Sequence, residues 1–197
     1  MAGKVFYAYL WGWGMSSYTD NSLIELFLPI IKEGLIADGF TTTLVKQSNQ
    51  PTQQGIPTSP MVFFTKIFNK RFGFLRREDR WNTLTSRFDH IESQYYETSF
   101  QVAALSLQDP KDLTIPTASD LVNEVACIMQ SSTTLDTLNN AGVGILRISD
   151  ITNPYFTDDR DNFEASPSFD FVLVYLNERA STTPLITPPI SQNIHGV

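Results

Sequence analysis

Apolar and polar residues alternate along 94–107 at the two-residue period of a strand. One face carries Tyr96, Phe100, Val102 and Ala104, and the other carries Glu97, Ser99 and Gln101. A slip of one residue would bring Glu97 inward and turn Phe100 to water, so the register of this strand is firm. The run Phe-Asp-Phe-Val-Leu-Val-Tyr at 169–175 is a second strand of the same kind. Strand patterns also occur at 41–46, at 143–148 and at 61–69, where Val62, Phe64, Lys66 and Phe68 oppose Phe63, Thr65 and Ile67. The segment 5–13 is either a short strand or an aromatic arm lying on a neighbour. An aromatic cluster over the chain's own core is the other use of such residues.

Two stretches carry helical spacing. Asp20, Asn21 and Ser22 offer caps, with Glu25 placed to complete a capping box, and Leu23, Phe27, Ile30, Ile31 and Leu35 follow on one stripe. Pro29 predicts a kink or a restart near Leu28, and Gly39 a left-handed end. In the second, Thr117 caps with Asp120 three residues on, and Leu121, Val122, Val125, Cys127, Ile128 and Met129 lie on or near one stripe. An interruption at 131–134 precedes a short helical piece at 135–140 that ends at Gly142.

The rest is connection and extension. The Gln-, Ser- and Pro-rich run 47–60 has no apolar period and reads as a loop, and 149–166 reads as an acidic loop. Lys70, Arg71, Arg76, Arg77 and Arg80 alternate with Phe72, Phe74 and Leu75 around Gly73, which suggests a hairpin tip or irregular loop. Beyond Arg179, prolines 184, 188 and 189 exclude helix and central strand, leaving a solvated tail or an arm docked on another subunit. The expected fold is therefore α/β (α+β). An antiparallel or mixed sheet of about four to five strands is flanked by helices in a single domain at 19–179, between an N-terminal arm (1–18) and a Pro-rich C-terminal arm (180–197).

With 197 residues, 22.2 kDa and 42% hydrophobic residues, the chain suffices for one well-buried core. A net charge of -7 and a pI near 4.7 argue against a general nucleic-acid binder, although a local basic face remains open. A single cysteine excludes an internal disulfide and a Cys-rich zinc site, and fits assembly in a reducing cytoplasm. No run reaches the ~18 apolar residues of a membrane helix, and the N-terminus lacks the pattern of a signal peptide.

Catalytic chemistry finds little support. His90 and His195 are expected to be surface or partner-bonding groups, and Cys127, among apolar helix neighbours, a buried and inert thiol. Asp158, Asp159, Asp161 and Glu164 lack the glycine and spacing of a calcium loop, so no metal or cofactor is expected. The stretch 66–80 is the best candidate site. Basic residues among aromatics grip single-stranded nucleic acid, yet Glu78 and Asp79 within it suit contact with an acidic protein surface, such as the 158–164 loop of an adjacent copy. The candidate subunit interface is then Lys70, Arg71, Arg76, Arg77 and Arg80 against Asp158, Asp159, Asp161 and Glu164. An enzyme with an unrecognised site is the remaining class.

The order of short motifs carries a resemblance over residues 20–177. An N-terminal helix is followed by Gln-Ser-Asn-Gln-Pro (47–51), Met-Val-Phe-Phe (61–64) and Tyr95-Tyr96-Glu97-Thr98-Ser99-Phe100-Gln101-Val102. After a helix come Ala141-Gly142-Val143-Gly144-Ile145, then Asp161-Asn162-Phe163-Glu164 and Phe169-Asp170-Phe171-Val172-Leu173. Together they resemble the neck or tail terminator proteins of tailed bacteriophages. The resemblance implies a small α/β protomer that forms a hexameric ring on the last ring of the tail tube or sheath, ends its polymerisation and receives the head. It implies as partners other copies of the chain, the tube or sheath protein and head-tail connector proteins, with DNA only passing through the lumen. It also implies a place in the virion neck or tail after assembly in the host cytoplasm, no membrane, and no catalytic residues. Another neck or head-completion ring protein, or a nucleic-acid-binding module using 66–80, is the alternative.

Overall fold

The computed structural model describes residues 18–47, 59–106, 112, 114–157, 163–165 and 167–182, without the side chains of 155–157, 163–165 and 182. The readings made for 1–17, for most of the loop 47–60 and for 183–197 lie outside the described residues. Three helices, α1 (Asp20–Ala37), α2 (Ala118–Gln130) and α3 (Ser132–Asn140), accompany β1 (Leu44–Gln47), β2 (Met61–Asn82), β3 (Arg87–Leu105), β4 (Val143–Ile148), β5 (Tyr155–Thr157), β6 (Phe163–Ala165) and β7 (Ser168–Thr182). A five-stranded sheet runs β1-β2-β3-β7-β4, antiparallel except for the β1–β2 pair, so it is the mixed sheet that the alternation predicts.

The cap of α1 sits one position before the expected cluster. The Thr19 hydroxyl accepts from the Ser22 N–H at 3.2 Å while the Thr19 N–H donates to Ser22 Oγ at 2.8 Å. Pro29 does not restart the helix, which is continuous over its 18 residues. Leu23, Phe27, Ile31 and Leu35 are buried on both sides of the proline, whereas Pro29 and Glu25, the residue whose carbonyl loses its donor, are exposed. Packing thus holds both turns while the missing bond falls on the solvent face. Gly39, at φ 94°, ends the helix as expected, with the Phe40 N–H donating to the Leu35 carbonyl at 2.8 Å.

Thr117 and Asp120 form the expected capping box of α2, at 3.0 and 3.1 Å. The interruption after it is one residue long, not four. Ser131 ends α2 and caps α3, and the Thr134 hydroxyl donates to the Ile128 carbonyl at 2.7 Å. Cys127 departs from expectation, since its side chain is exposed. Leu121, Val122, Val125, Ile128 and Met129 form the buried stripe, and position 127 falls outside it. The described part of the acidic connection holds a strand pair, β5 with β6, and Thr152 bridges to Ser168.

Helices and sheet meet around Phe27. Its ring stands edge-on to Phe64, Phe100 and Phe171 at 5.1, 5.0 and 5.3 Å, and all four side chains are buried. On the strand that anchored the sequence reading, Thr98, Phe100, Val102 and Ala104 are buried under the helices, as the alternation requires. The Thr98 and Tyr175 hydroxyls hydrogen-bond at 3.1 Å, which satisfies the polar group at the edge of this core.

Where α1 meets α2, Gly34 lies so close that a Cβ there would stand 2.7 Å from Ile128. Nearby, partial burial raises the Glu124 carboxyl above its ordinary value, and a hydrogen bond shared with Asp38 and the charge of that carboxylate add to the shift. A raised folded-state value means that the protonated form favours the fold. Its contribution is full below about pH 4 and is lost as pH rises through the raised value. Glu124→Gln will therefore match the parent near pH 4 and exceed it at pH 7, by no more than about 1 kcal/mol at this half-exposed site. Urea unfolding at the two pH values reads the difference; a variant less stable at pH 7 would contradict it.

Candidate interaction surface

The sheet does not stop where the helices do. β2 pairs with β3 out to Asn82↔Arg87, and β7 pairs with β3 out to Thr182↔Asp89, so three strands run on as a ribbon. The stretch 70–80 is thus strand, not hairpin tip. The turn lies at 83–86, where Asn82 Oδ1 accepts from the Leu84 and Thr85 N–H groups at 3.0 and 3.2 Å. Gly73, at φ 72°, marks an irregularity within the strand, between the pairs Phe72↔Tyr95 and Arg76↔Ser93.

Cross-strand partners share a face. Continuing from Phe100, the helix-side face carries Tyr96, Gln94, Glu92, His90 and Phe88 of β3. Arg71, Arg77, Asp79 and Trp81 of β2 and Tyr175, Asn177 and Arg179 of β7 lie beside them. The outer face carries the rows Lys70–Glu97–Val174, Phe72–Tyr95–Leu176 and Arg76–Ser93–Glu178. An earlier irregularity, between Lys66 and Phe68, turns Phe68 to this outer face, against the simple alternation read from the sequence. Lys66 stays on the helix side and binds Asp20 at the start of α1 at 2.5 Å.

The five basic candidates are therefore split between two faces: Arg71 and Arg77 on one, Lys70, Arg76 and Arg80 on the other. They also have acids of their own. Glu78 binds Arg76 at 3.0 Å and Arg80 at 3.2 Å, Glu92 binds Arg77 at 3.2 Å, Lys70 stands opposite Glu97, and His90 bonds Asp79. Arg71 lies 5.9 Å above the Tyr96 ring. Such exposed pairs contribute little stability, about 0–1 kcal/mol each, but they neutralise the stretch locally and leave no single basic patch for a phosphate backbone. Of the acidic half of the expected interface, Asp158, Asp159 and Asp161 lie outside the described residues, as does the side chain of Glu164 in β6.

What the ribbon offers instead is apolar. Phe72, Phe74, Leu75, Trp81, Leu84, Phe88 and Tyr95 are exposed, Phe74 completely, and Trp81 stands edge-on to Phe88 at 5.0 Å near the tip. A row of Phe72, Tyr95 and Leu176 across three strands, between rows of charge, has the make-up of an interface centre with its polar rim. On the helix side a groove of about 770 Å³ is lined by Arg71, Leu75, Glu92, Gln94, Tyr96 and Arg179, among others. Among the described residues no cluster of metal-ligating side chains occurs, and no helix is long and apolar enough to cross a membrane.

No curated protein matches the chain. Among solved structures, one that is similar is the sheath/tube terminator of an extracellular contractile injection system, PVC, in its extended state. The match has a TM-score of 0.48 and 9% identity, covering 93% of this chain and 67% of that one. The sequence supplies the assignment: the family described as E217 gateway protein gp29, a bacteriophage family, matches residues 22–185, well over half of the chain, and the protein belongs to that family.

Proposed function

We propose that the protein is a structural part of the neck and tail junction of a bacteriophage virion, a terminator or gateway ring, assembled from copies of this chain in the host cytoplasm. In this reading the ring, hexameric as the resemblance implies, caps the tail tube or sheath, ends its growth and seats the head-tail connector, while DNA passes through its lumen. It is a building block without turnover. The observation that carries the reading is the ribbon, whose aromatic rows have no helix over them among the described residues and several of whose charges are paired within the chain. A soluble monomer gains nothing from such a surface, and a protomer with neighbours buries it.

Ring closure is tested on the purified full chain by light scattering and negative-stain electron microscopy. A closed ring with a mass that is a whole multiple of 22.2 kDa is expected. A 22.2 kDa particle at every concentration, both alone and with tail tubes, would end the proposal.

A further inference from the structure

Two arginines that line the groove lack the carboxylate that Arg76, Arg77 and Arg80 have. Arg71 lies over the Tyr96 ring, and Arg179 stands opposite Glu92, whose carboxylate binds Arg77 at 3.2 Å. Both guanidinium groups are exposed, and no carboxylate among the described residues binds either. One is steadied by a ring, and each presents a fork that fits carboxylate oxygens.

The converse arrangement occurs in the helix layer. Asp38, which ends α1, shares a hydrogen bond with Glu124 of α2, and no basic side chain among the described residues binds either carboxyl. Partial burial, the shared bond and the Asp38 charge all disfavour the ionised form of Glu124, a repulsion that an added cation would relieve. Within one copy the two places lie far apart. α1 begins at the root of the ribbon, where Lys66 binds Asp20 and the Tyr18 N–H donates to Asn177 Oδ1 at 3.0 Å. Its 18 residues set Asp38 about 27 Å away, so cations without anions and anions without cations stand at opposite ends of the chain. We propose that the ribbon groove of one copy receives the Asp38–Glu124 seam of the next, with Arg71 and Arg179 binding the two carboxylates. The inference rests on the reading that copies of the chain assemble, and it names the patches that meet. They are unlike patches, as a head-to-tail contact requires. A phosphate backbone fits the groove less well, because Glu92 and Glu178 also line it.

Full-length chains carrying Arg71→Glu with Arg179→Glu, or Asp38→Lys with Glu124→Lys, should assemble only at about tenfold higher concentration than the parent, read by light scattering, with their thermal melts retained. Mixed in equal amounts, the two reversed chains should assemble at the parent's concentration, because each seam then meets a groove of opposite charge. Cys127, the chain's one cysteine, is exposed one helical turn on from Glu124. Its labelling by a maleimide should be slow in the parent assembly and fast in either reversed chain alone. Should Glu124→Lys disturb folding, the exposed positions Arg71→Glu and Asp38→Lys give the same readings. Assembly indifferent to both reversals, dissociation that mixing does not rescue, or Cys127 labelled at one rate throughout overturns the contact and leaves ring formation standing. A parent chain that stays monomeric overturns both. Uptake of a labelled single-stranded oligonucleotide that Arg71→Glu abolishes would give the groove to phosphate and overturn the contact as well.

Discussion

Phe27→Ala will lower the unfolding free energy by about 3–5 kcal/mol, the largest change expected of any single truncation in this chain. Phe27 is buried, and its ring is the one that the rings of Phe64 on β2, Phe100 on β3 and Phe171 on β7 all approach edge-on, so its removal opens a hole where helix layer and sheet meet. The surrounding strands are held by their ladders and cannot collapse into it, which places the loss toward the upper end of the range. Urea unfolding followed by circular dichroism measures it, with the midpoint falling and the slope unchanged. A loss below about 1 kcal/mol would mean that Phe27 is not the hub of the core.

Phe72→Asp will have the largest effect on assembly and little on folding. Phe72 is 56% exposed in the protomer and sits in the middle of the row Phe72–Tyr95–Leu176, so the substitution removes no core contact. If the ribbon's outer face is buried between neighbours, the same change sets a carboxylate into a desolvated aromatic patch. A central interface residue of this kind contributes 2 kcal/mol or more, so affinity between copies should fall by at least about 30-fold. Light scattering across a concentration series reads the loss, and the thermal melt of the dissociated chain reads the intact fold. Assembly at unchanged concentration would remove the outer face from any interface. The same change on the helix side, at Arg71, bears on the groove instead, so the two faces are separable by experiment.

Much of the architecture was legible because the core is periodic. Phe100, Val102 and Ala104 fall at every second position, Leu23, Phe27, Ile31 and Leu35 at every fourth, and both patterns translate directly into buried faces. Thr117 with Asp120 could be read as a cap because a side-chain oxygen three residues before its partner has only that local use. Thr19 was missed because Asp20, Asn21 and Ser22 are equally good caps, and only the packing of Leu23 decides which turn comes first.

The local structure of 70–80 escaped the sequence for a related reason. Arginine and phenylalanine within 70–80 suggested an exposed, charged loop, yet a strand that is solvated on both faces shows no buried alternation, so period alone cannot reveal it. Its partner β3 is paired on its other side with β7, far along the chain, and this cross-strand pairing is what makes it a ribbon. Two signals were available. Asn82 opens the turn with its side chain, and aromatic residues persist from Phe68 to Trp81 beyond what a solvated loop needs. That Glu78 and Glu92 would silence the arginines could not be known before the register was known. Cys127 was assigned to the apolar stripe because its neighbours occupy it, although its angular position on the helix lies outside that stripe.

The second irregularity in β2 places three residues, Gly73, Phe74 and Leu75, against the single residue Gln94, whose Nε2 donates to the Gly73 carbonyl at 3.0 Å. The surplus is even, so every side chain from Arg76 to Asn82 keeps the orientation it would have in an uninterrupted ladder. Chain length can therefore change at this one spot by two residues without exchanging Arg77 and Asp79 for Glu78 and Arg80 on either surface. Excision of Phe74 and Leu75 would shorten what the strand displays and leave its distal half aimed as before, whereas loss of one residue alone would turn that half over.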